Sequence, residues 1–215
     1  MVRYILFTSQ KGGVGKSTLA RSTAVALAYS GRKVLLADFD SEQRTCLRWQ
    51  AQRKARRLEP VIDVAKFSKE SRLNGASQKF DDVVMDTRGR HDDLSLQLAM
   101  SSDVIFLPSS FSLDDIAPTL TVVETLRNAG IPSARIAVVF CRIGRSVRQE
   151  QRARSILQMN GIVALEAVLP QRDGFALLAA TGRTGREASN ATLRSIAIGV
   201  DQAVLEFIEA AVIRA

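Results

Sequence analysis

Ser9 to Thr18, SQKGGVGKST, sets three glycines, two lysines and an adjacent Ser–Thr pair within ten positions. Glycines let the backbone fold so that successive N–H groups converge on phosphate oxygens, and a helix beginning just after them adds its positive end. Gly12, Gly13, Val14 and Gly15 would form that cradle, Lys16 would reach the β and γ phosphates, and the Ser17 hydroxyl would ligate magnesium, with Thr18 beside it. Lys11 is a residue such a loop does not need. Gln10 stands where the first glycine of the usual pattern belongs, and a long cation on the outer lip can reach a γ phosphate held by a second subunit, as charges supplied in trans do elsewhere. That use of Lys11 requires a dimer.

Two acidic clusters follow apolar runs. LLADFDSEQRT sets Asp38 and Asp40 past one run, and FDDVVMDTRG sets Asp86 at the end of another, followed by Thr87, Arg88 and Gly89. Ligands of open α/β sheets sit beyond the carboxyl ends of the strands, so these carboxylates and the loop are expected around one site.

The elements that must position them are legible as runs and stripes. RYILFTS reads as a buried strand, and STLARSTAVALAYSG as a helix stopping at Gly31. KVLLAD, DDVVMD, DVIFLP and RIAVVFC read as four further strands, with helical stretches between most of them. The fold class is therefore α/β, a mostly parallel sheet with helices on both faces. ARSILQMNG reads as a helix. The tail from Ala188 to Ile213 sets Leu193, Ile196, Ala197, Val200, Val204, Phe207, Ile208 and Ala211 on one helical stripe. Residues 68 to 79, SKESRLNGASQK, read as a surface loop with a helical turn.

With 215 residues, 46% of them hydrophobic, the chain suits one domain, 1–215, with a full core. Cys46 and Cys141 lie far apart and there is one histidine, which argues against a disulfide framework or a zinc site and fits a reducing cytoplasm. No leader-like start or long apolar run is found, so a soluble protein without a membrane span is expected. A net charge of +8, carried mainly by arginine, is the footprint of a chain that meets phosphates beyond one nucleotide.

KGGVGKST resembles the deviant Walker A motif of the ParA/MinD ATPases, a P-loop NTPase fold in which the lysine matching Lys11 crosses a nucleotide sandwich dimer. The resemblance implies magnesium-dependent ATP hydrolysis, with Lys16 serving its own nucleotide and Lys11 its partner's. LLADFDSEQRT resembles the family's DxDPQ motif. Asp38 is then a carboxylate near the magnesium, and Asp40 orients the attacking water; Ser41 replaces the usual proline. FDDVVMDTRG resembles the Walker B strand and switch, giving Asp86 to the magnesium and Thr87 to Gly89 to the γ phosphate, with Arg88 where the family usually has proline. LPSSFSLDD resembles the loop before a helix at the dimer face, and reads equally well as a capped helix start at Ser112. Many relatives end the strand matching RIAVVFC with an asparagine that contacts adenine, where this chain has Cys141. LPQRDGF resembles the loop closing over the base and makes Pro170 and Arg172 nucleotide neighbours.

The ParA-type members further imply a basic stripe for nonspecific double-stranded DNA, here assigned to Arg145, Arg148, Arg152, Arg172, Arg183, Arg186 and Arg194. They also imply a ParB-like centromere-binding partner that stimulates hydrolysis, and a cytoplasmic, nucleoid-associated protein. No N-terminal helix-turn-helix domain is expected, since the loop follows the first strand. A second basic cluster, RTCLRWQAQRKARR, has no assigned role, and its Trp49 reads as a core or interface anchor. Relatives that position chemoreceptor arrays, carboxysomes or the division site share the chemistry. A MinD-like membrane tail would need more basic and aromatic residues than LEFIEAAVIRA holds. An iron-protein-like reductase would need cysteines bridging two subunits, and a ligase would need a substrate pocket that the residues do not indicate.

Overall fold

The structure, a computed structural model, describes residues 1–40, 42–89, 92–144 and 146–213. Eight strands are formed among them: β1 (Arg3–Phe7), β2 (Val34–Asp38), β3 (Asp63–Lys66), β4 (Asp82–Asp86), β5 (Val104–Ser109), β6 (Ile136–Ile143), β7 (Val163–Ala164) and β8 (Leu169–Pro170). The helices are α1 (Lys16–Tyr29), α2 (Thr45–Ala55), α3 (Leu73–Ser77), α4 (Asp93–Met100), α5 (Leu113–Asn128), α6 (Val147–Met159), α7 (Asp173–Ala180) and α8 (Ala191–Ile213). The sheet runs β3-β2-β4-β1-β5-β6-β7, with β8 added to β6, and the pairings are parallel.

Alternation along each strand feeds two cores. In β1, Ile5 and Phe7 join Leu19, Val25 and Trp49 beneath α1, α2 and α8, while Leu6 turns to the other face with Leu98, Ile116 and Leu157 from α4, α5 and α6. Both faces are covered, which is why the central strands read as continuous apolar runs. The α8 stripe points inward, with Val200, Val204, Ile208 and Ala211 buried.

Register decides where the chemistry sits. Phe7 pairs with Asp86, and Asp38 pairs with Asp86 on the other side. The ends of β1, β2 and β4 therefore lie level, so the phosphate loop leaving β1 and both acidic loops open on one rim.

Three strands are additional to the five expected. Strand β3 (DVAK) is a partly exposed edge strand, and β7 and β8 are two residues each, too short for a periodic signal. Residues 68–79 hold a 3-10 turn, Glu70–Arg72, followed by α3, whose Leu73 is buried and anchors the segment. LPQRDGF is part strand and part helix, with β8 at Leu169–Pro170 and α7 beginning at Asp173.

The basic helix α2 has a structural task. Arg53 is buried, pairs with both oxygens of Glu187 at 2.8 and 3.0 Å, and donates to the carbonyls of Pro60 and Gly182. Trp49 is buried as well, its indole N–H donating to the Arg183 carbonyl at 3.1 Å.

On α8, Asp201 is buried, accepting from Ser22 Oγ at 2.6 Å and Arg186 Nε at 2.9 Å. Burial outweighs both partners and pushes its carboxyl up to about 6. The folded state thus binds this proton more tightly than the unfolded chain, and stability from this group falls as pH rises from about 4 to about 6. Asp201→Asn is expected to remove that slope: the melting temperature of the variant minus that of wild type should climb across this interval in a pH series of thermal unfolding, and a constant difference would contradict the assignment.

Candidate functional site

A cleft of about 700 Å³ opens at the level strand ends. Gly12, Gly13, Gly15, Lys16, Ser17 and Thr18 form its floor; Asp40, Thr87, Arg88 and Gly89 line one side, and Cys141, Arg142, Pro170, Gln171, Arg172 and Phe175 another. The loop holds Gly13 at φ +76 and Gly15 at φ +114, left-handed values that side chains resist, and Gly15 leads directly into α1.

Lys16 is buried, its Nζ donating to Ser9 Oγ and to the Lys11 carbonyl, both at 2.9 Å. Burial lowers its pKa, opposed by Asp86 and Asp40. Its ammonium thus lies across its own loop. Lys11 goes elsewhere. Its Nζ meets Asp115 Oδ1 on α5 at 2.5 Å, and Ser110 Oγ holds the other oxygen of Asp115 at 2.5 Å. The helix behind this contact is capped by Ser112, which accepts from the Asp114 N–H.

The three aspartates divide. Asp86 is fully buried, with Cys46 Sγ at 3.2 Å from Oδ2, and no protein group among the described residues bonds Oδ1. Burial pushes its carboxyl up to about 6, while the hydroxyl of Ser17, Cys46 and Arg21 act the other way. A buried carboxylate oxygen without a partner beside a serine hydroxyl suits a hard divalent cation that takes its remaining ligands from phosphates. Among the described residues no group of three or more His, Cys, Asp or Glu is arranged as a metal cage. Asp38 is held by the backbone. Both its oxygens accept backbone N–H groups, Oδ1 from Asp40 at 3.0 Å and Oδ2 from Cys46 and Leu47 at 3.0 and 3.3 Å. It organises the acidic loop and the start of α2. Asp40 faces the cleft, its Oδ1 held by the N–H groups of Glu42 and Gln43.

Gly89 binds the switch to the loop. A Cβ there would lie 2.6 Å from Gly12 N and Cα and 2.9 Å from the Lys11 carbonyl carbon, so backbone packs on backbone. Thr87 is tied down next to it, its N–H and Oγ1 both donating to the Phe7 carbonyl.

Two cleft residues had no assignment from the sequence. Arg142 has φ +54 at a register shift between β6 and β8, and that turn directs its guanidinium onto the Gly13 carbonyl. Arg21, four residues after Ser17, donates to the Ser17 carbonyl at 2.7 Å, and its helical spacing from Ser17 is a signal that was available. Cys141 packs under Gly15, 3.0 Å from where a Cβ would stand.

Among the described residues, the arginines assigned to a basic stripe belong to several different elements. Arg145 lies outside the described residues. Arg148 and Arg152 are exposed on α6, over one face of the sheet. Arg183, Arg186 and Arg194 belong to the segment and helix over the other face, and Arg172 lines the cleft. Arg186 requires a correction, since its guanidinium pairs with buried Asp201 and stacks on Tyr29.

The family model of the CobQ/CobB/MinD/ParA nucleotide-binding domain matches residues 5–184. The chain belongs to this family. Protein VirC1 of Rhizobium rhizogenes is 29% identical over 84% of this chain and 82% of its own length. The maintenance of carboxysome distribution protein A of Gloeobacter kilaueensis is 30% identical over 93% of this chain and 94% of its own. A Borrelia burgdorferi B31 protein assigned to plasmid partition, solved with AMPPNP, superposes with a TM-score of 0.72 at 17% identity, covering 96% of this chain and 99% of the other. The chain is accordingly of the ParA/MinD ATPase type, and most of the residues lining the cleft fall within the matched domain.

Gly89→Ala should force the switch off the phosphate loop and weaken binding of an ATP analogue by at least about tenfold, since moving the loop by a fraction of an ångström disturbs several charge-assisted N–H contacts at once. Titration calorimetry checks this; unchanged affinity would mean that the switch and the loop move independently.

Proposed function

We propose that residues 1–215 are one ATPase domain that partitions DNA. ATP closes a sandwich homodimer, the dimer binds double-stranded DNA without sequence preference, and hydrolysis stimulated by a ParB-like centromere-binding protein releases it. The observation that carries this reading is the division of the two lysines: Lys16 is buried at its own cradle, while Lys11 is directed out of the cleft to an exposed contact with Asp115. Exposed ion pairs contribute little, so Lys11 can exchange that partner for phosphate oxygens of a second subunit.

In this mechanism the N–H groups of Gly12 to Thr18 hold the phosphates, with Lys16 on the β and γ oxygens. Asp40, at the cleft wall, orients the attacking water, and Asp38 keeps the Asp40 loop in place through its backbone bonds. Ser17 and Asp86 would hold magnesium, which when bound offsets the charge on the β and γ phosphates. Pro170, Arg172 and Phe175 wall the base side.

The DNA step is supported by the net charge of +8 and by exposed Arg148 and Arg152 on α6, to which Arg145, Arg172, Arg183 and Arg194 can add across a dimer. A cytoplasmic protein bound to the nucleoid follows. Among the described residues no helix is long and apolar enough to cross a membrane, and the apolar stripe of α8 is occupied by the core. A second reading, positioning of another cargo, is favoured by the relative named for carboxysome distribution, which matches along nearly its whole length.

Fluorescence anisotropy of a random-sequence duplex, titrated with ATP, ADP or no nucleotide at two salt concentrations, tests the DNA step. Binding only with ATP, falling steeply with salt and weakened by Arg148→Ala/Arg152→Ala, is expected. No binding in any state would exclude DNA as the track. Separately, Asp40→Ala should still bind ATP but turn it over at least about a hundredfold more slowly; intact turnover would remove the role of Asp40.

A further inference from the structure

Arg88 lines the cleft on the segment that follows β4. It stands between Thr87, whose backbone and hydroxyl are fixed to Phe7, and Gly89, whose backbone is pressed on Gly12 and Lys11. That places it beside the part of the loop where the Lys16 ammonium bonds the Lys11 carbonyl. Asp40, Arg88 and Lys16 all line this cleft. A phosphate-loop lysine reaches the β and γ phosphates, and this region is therefore the terminal-phosphate end of the cleft.

The Arg88 guanidinium is not fixed there by the core. It is about one-third exposed, and Nε and Nη2 donate to a single oxygen, Asp92 Oδ2, at 3.1 and 2.6 Å. The other oxygen of Asp92 caps α4, accepting from the N–H and the hydroxyl of Ser95 at 3.0 Å. Asp92 can therefore lose Arg88 and keep its structural bond. A partly exposed pair of this kind is weak, whereas a guanidinium on a phosphate forms two parallel charge-assisted bonds.

Building on the assignment of this cleft to ATP, we propose that Arg88 is the residue that selects ATP over ADP: it leaves Asp92 and binds the terminal phosphate of the nucleotide in its own subunit. Asp92 is the competing acceptor. Because Gly89 and Gly12 are packed together, the exchange also reports the terminal phosphate to the loop that carries Lys11.

Binding of AMPPNP and of ADP, each with magnesium, is measured by titration calorimetry for wild type, Arg88→Ala, Arg88→Lys and Asp92→Asn; asparagine still caps a helix. Arg88→Ala should lose at least about tenfold in AMPPNP affinity and stay within about twofold for ADP, and Arg88→Lys should recover part of the loss. Asp92→Asn should bind AMPPNP more tightly, by up to about fivefold, with ADP unchanged. Equal losses for both nucleotides in Arg88→Ala, no loss at all, or no gain in Asp92→Asn would overturn the proposal while leaving the cleft assignment standing. Failure of wild type to bind either nucleotide would instead overturn the cleft assignment, and this proposal with it.

Discussion

The close approach of backbone to backbone at Gly12 and Gly89 is the constraint on which the site depends. Nothing larger than hydrogen fits at Gly89, so the loop leaving β1 and the switch leaving β4 are one mechanical unit. The parallel register makes that possible, because Phe7 and Asp86 end their strands side by side. Arg142 holds the next residue of the loop through the Gly13 carbonyl, and Cys141 fills the space under Gly15. A phosphate entering this loop meets a cradle already held on three sides, which limits the ordering that binding must impose.

Charge is distributed to match. Asp86 and Lys16 are both buried, each with a pKa displaced by burial in the direction of its neutral form, so each gains when an ion of opposite sign arrives. Lys11, Arg88 and Asp40 face solvent or the cleft and are held by contacts that can be exchanged. The buried charges are thus fixed by the fold, and the more exposed ones can change partners.

Much of this was legible in the residues. The phosphate loop is recognisable because glycine positions, lysine and helix start are set by backbone geometry over a few adjacent residues, and the five long strands because burial on both faces leaves continuous apolar runs. The edge strand β3 was not, since a half-exposed DVAK has neither a run nor an alternation. Asp38 illustrates a different limit: residue type and spacing locate a carboxylate at the rim, but only the fold reveals that backbone N–H groups occupy both its oxygens. The arginines show the same limit at longer range. They are close in sequence, yet α6 and the segment from Arg183 to Arg194 cover opposite faces, and Arg186 is committed to Asp201. Arg142 depends on a turn with φ +54 that no local pattern announces.

The central claim is that one lysine serves the chain's own nucleotide and the other its partner's. Light scattering of wild type and Lys11→Ala, each with AMPPNP and magnesium, measures this most directly. The account predicts that the mass of wild type doubles on nucleotide binding, while Lys11→Ala binds AMPPNP and stays monomeric. A Lys11→Ala protein that dimerises as wild type does, or a wild type that binds AMPPNP without change of mass, would contradict it.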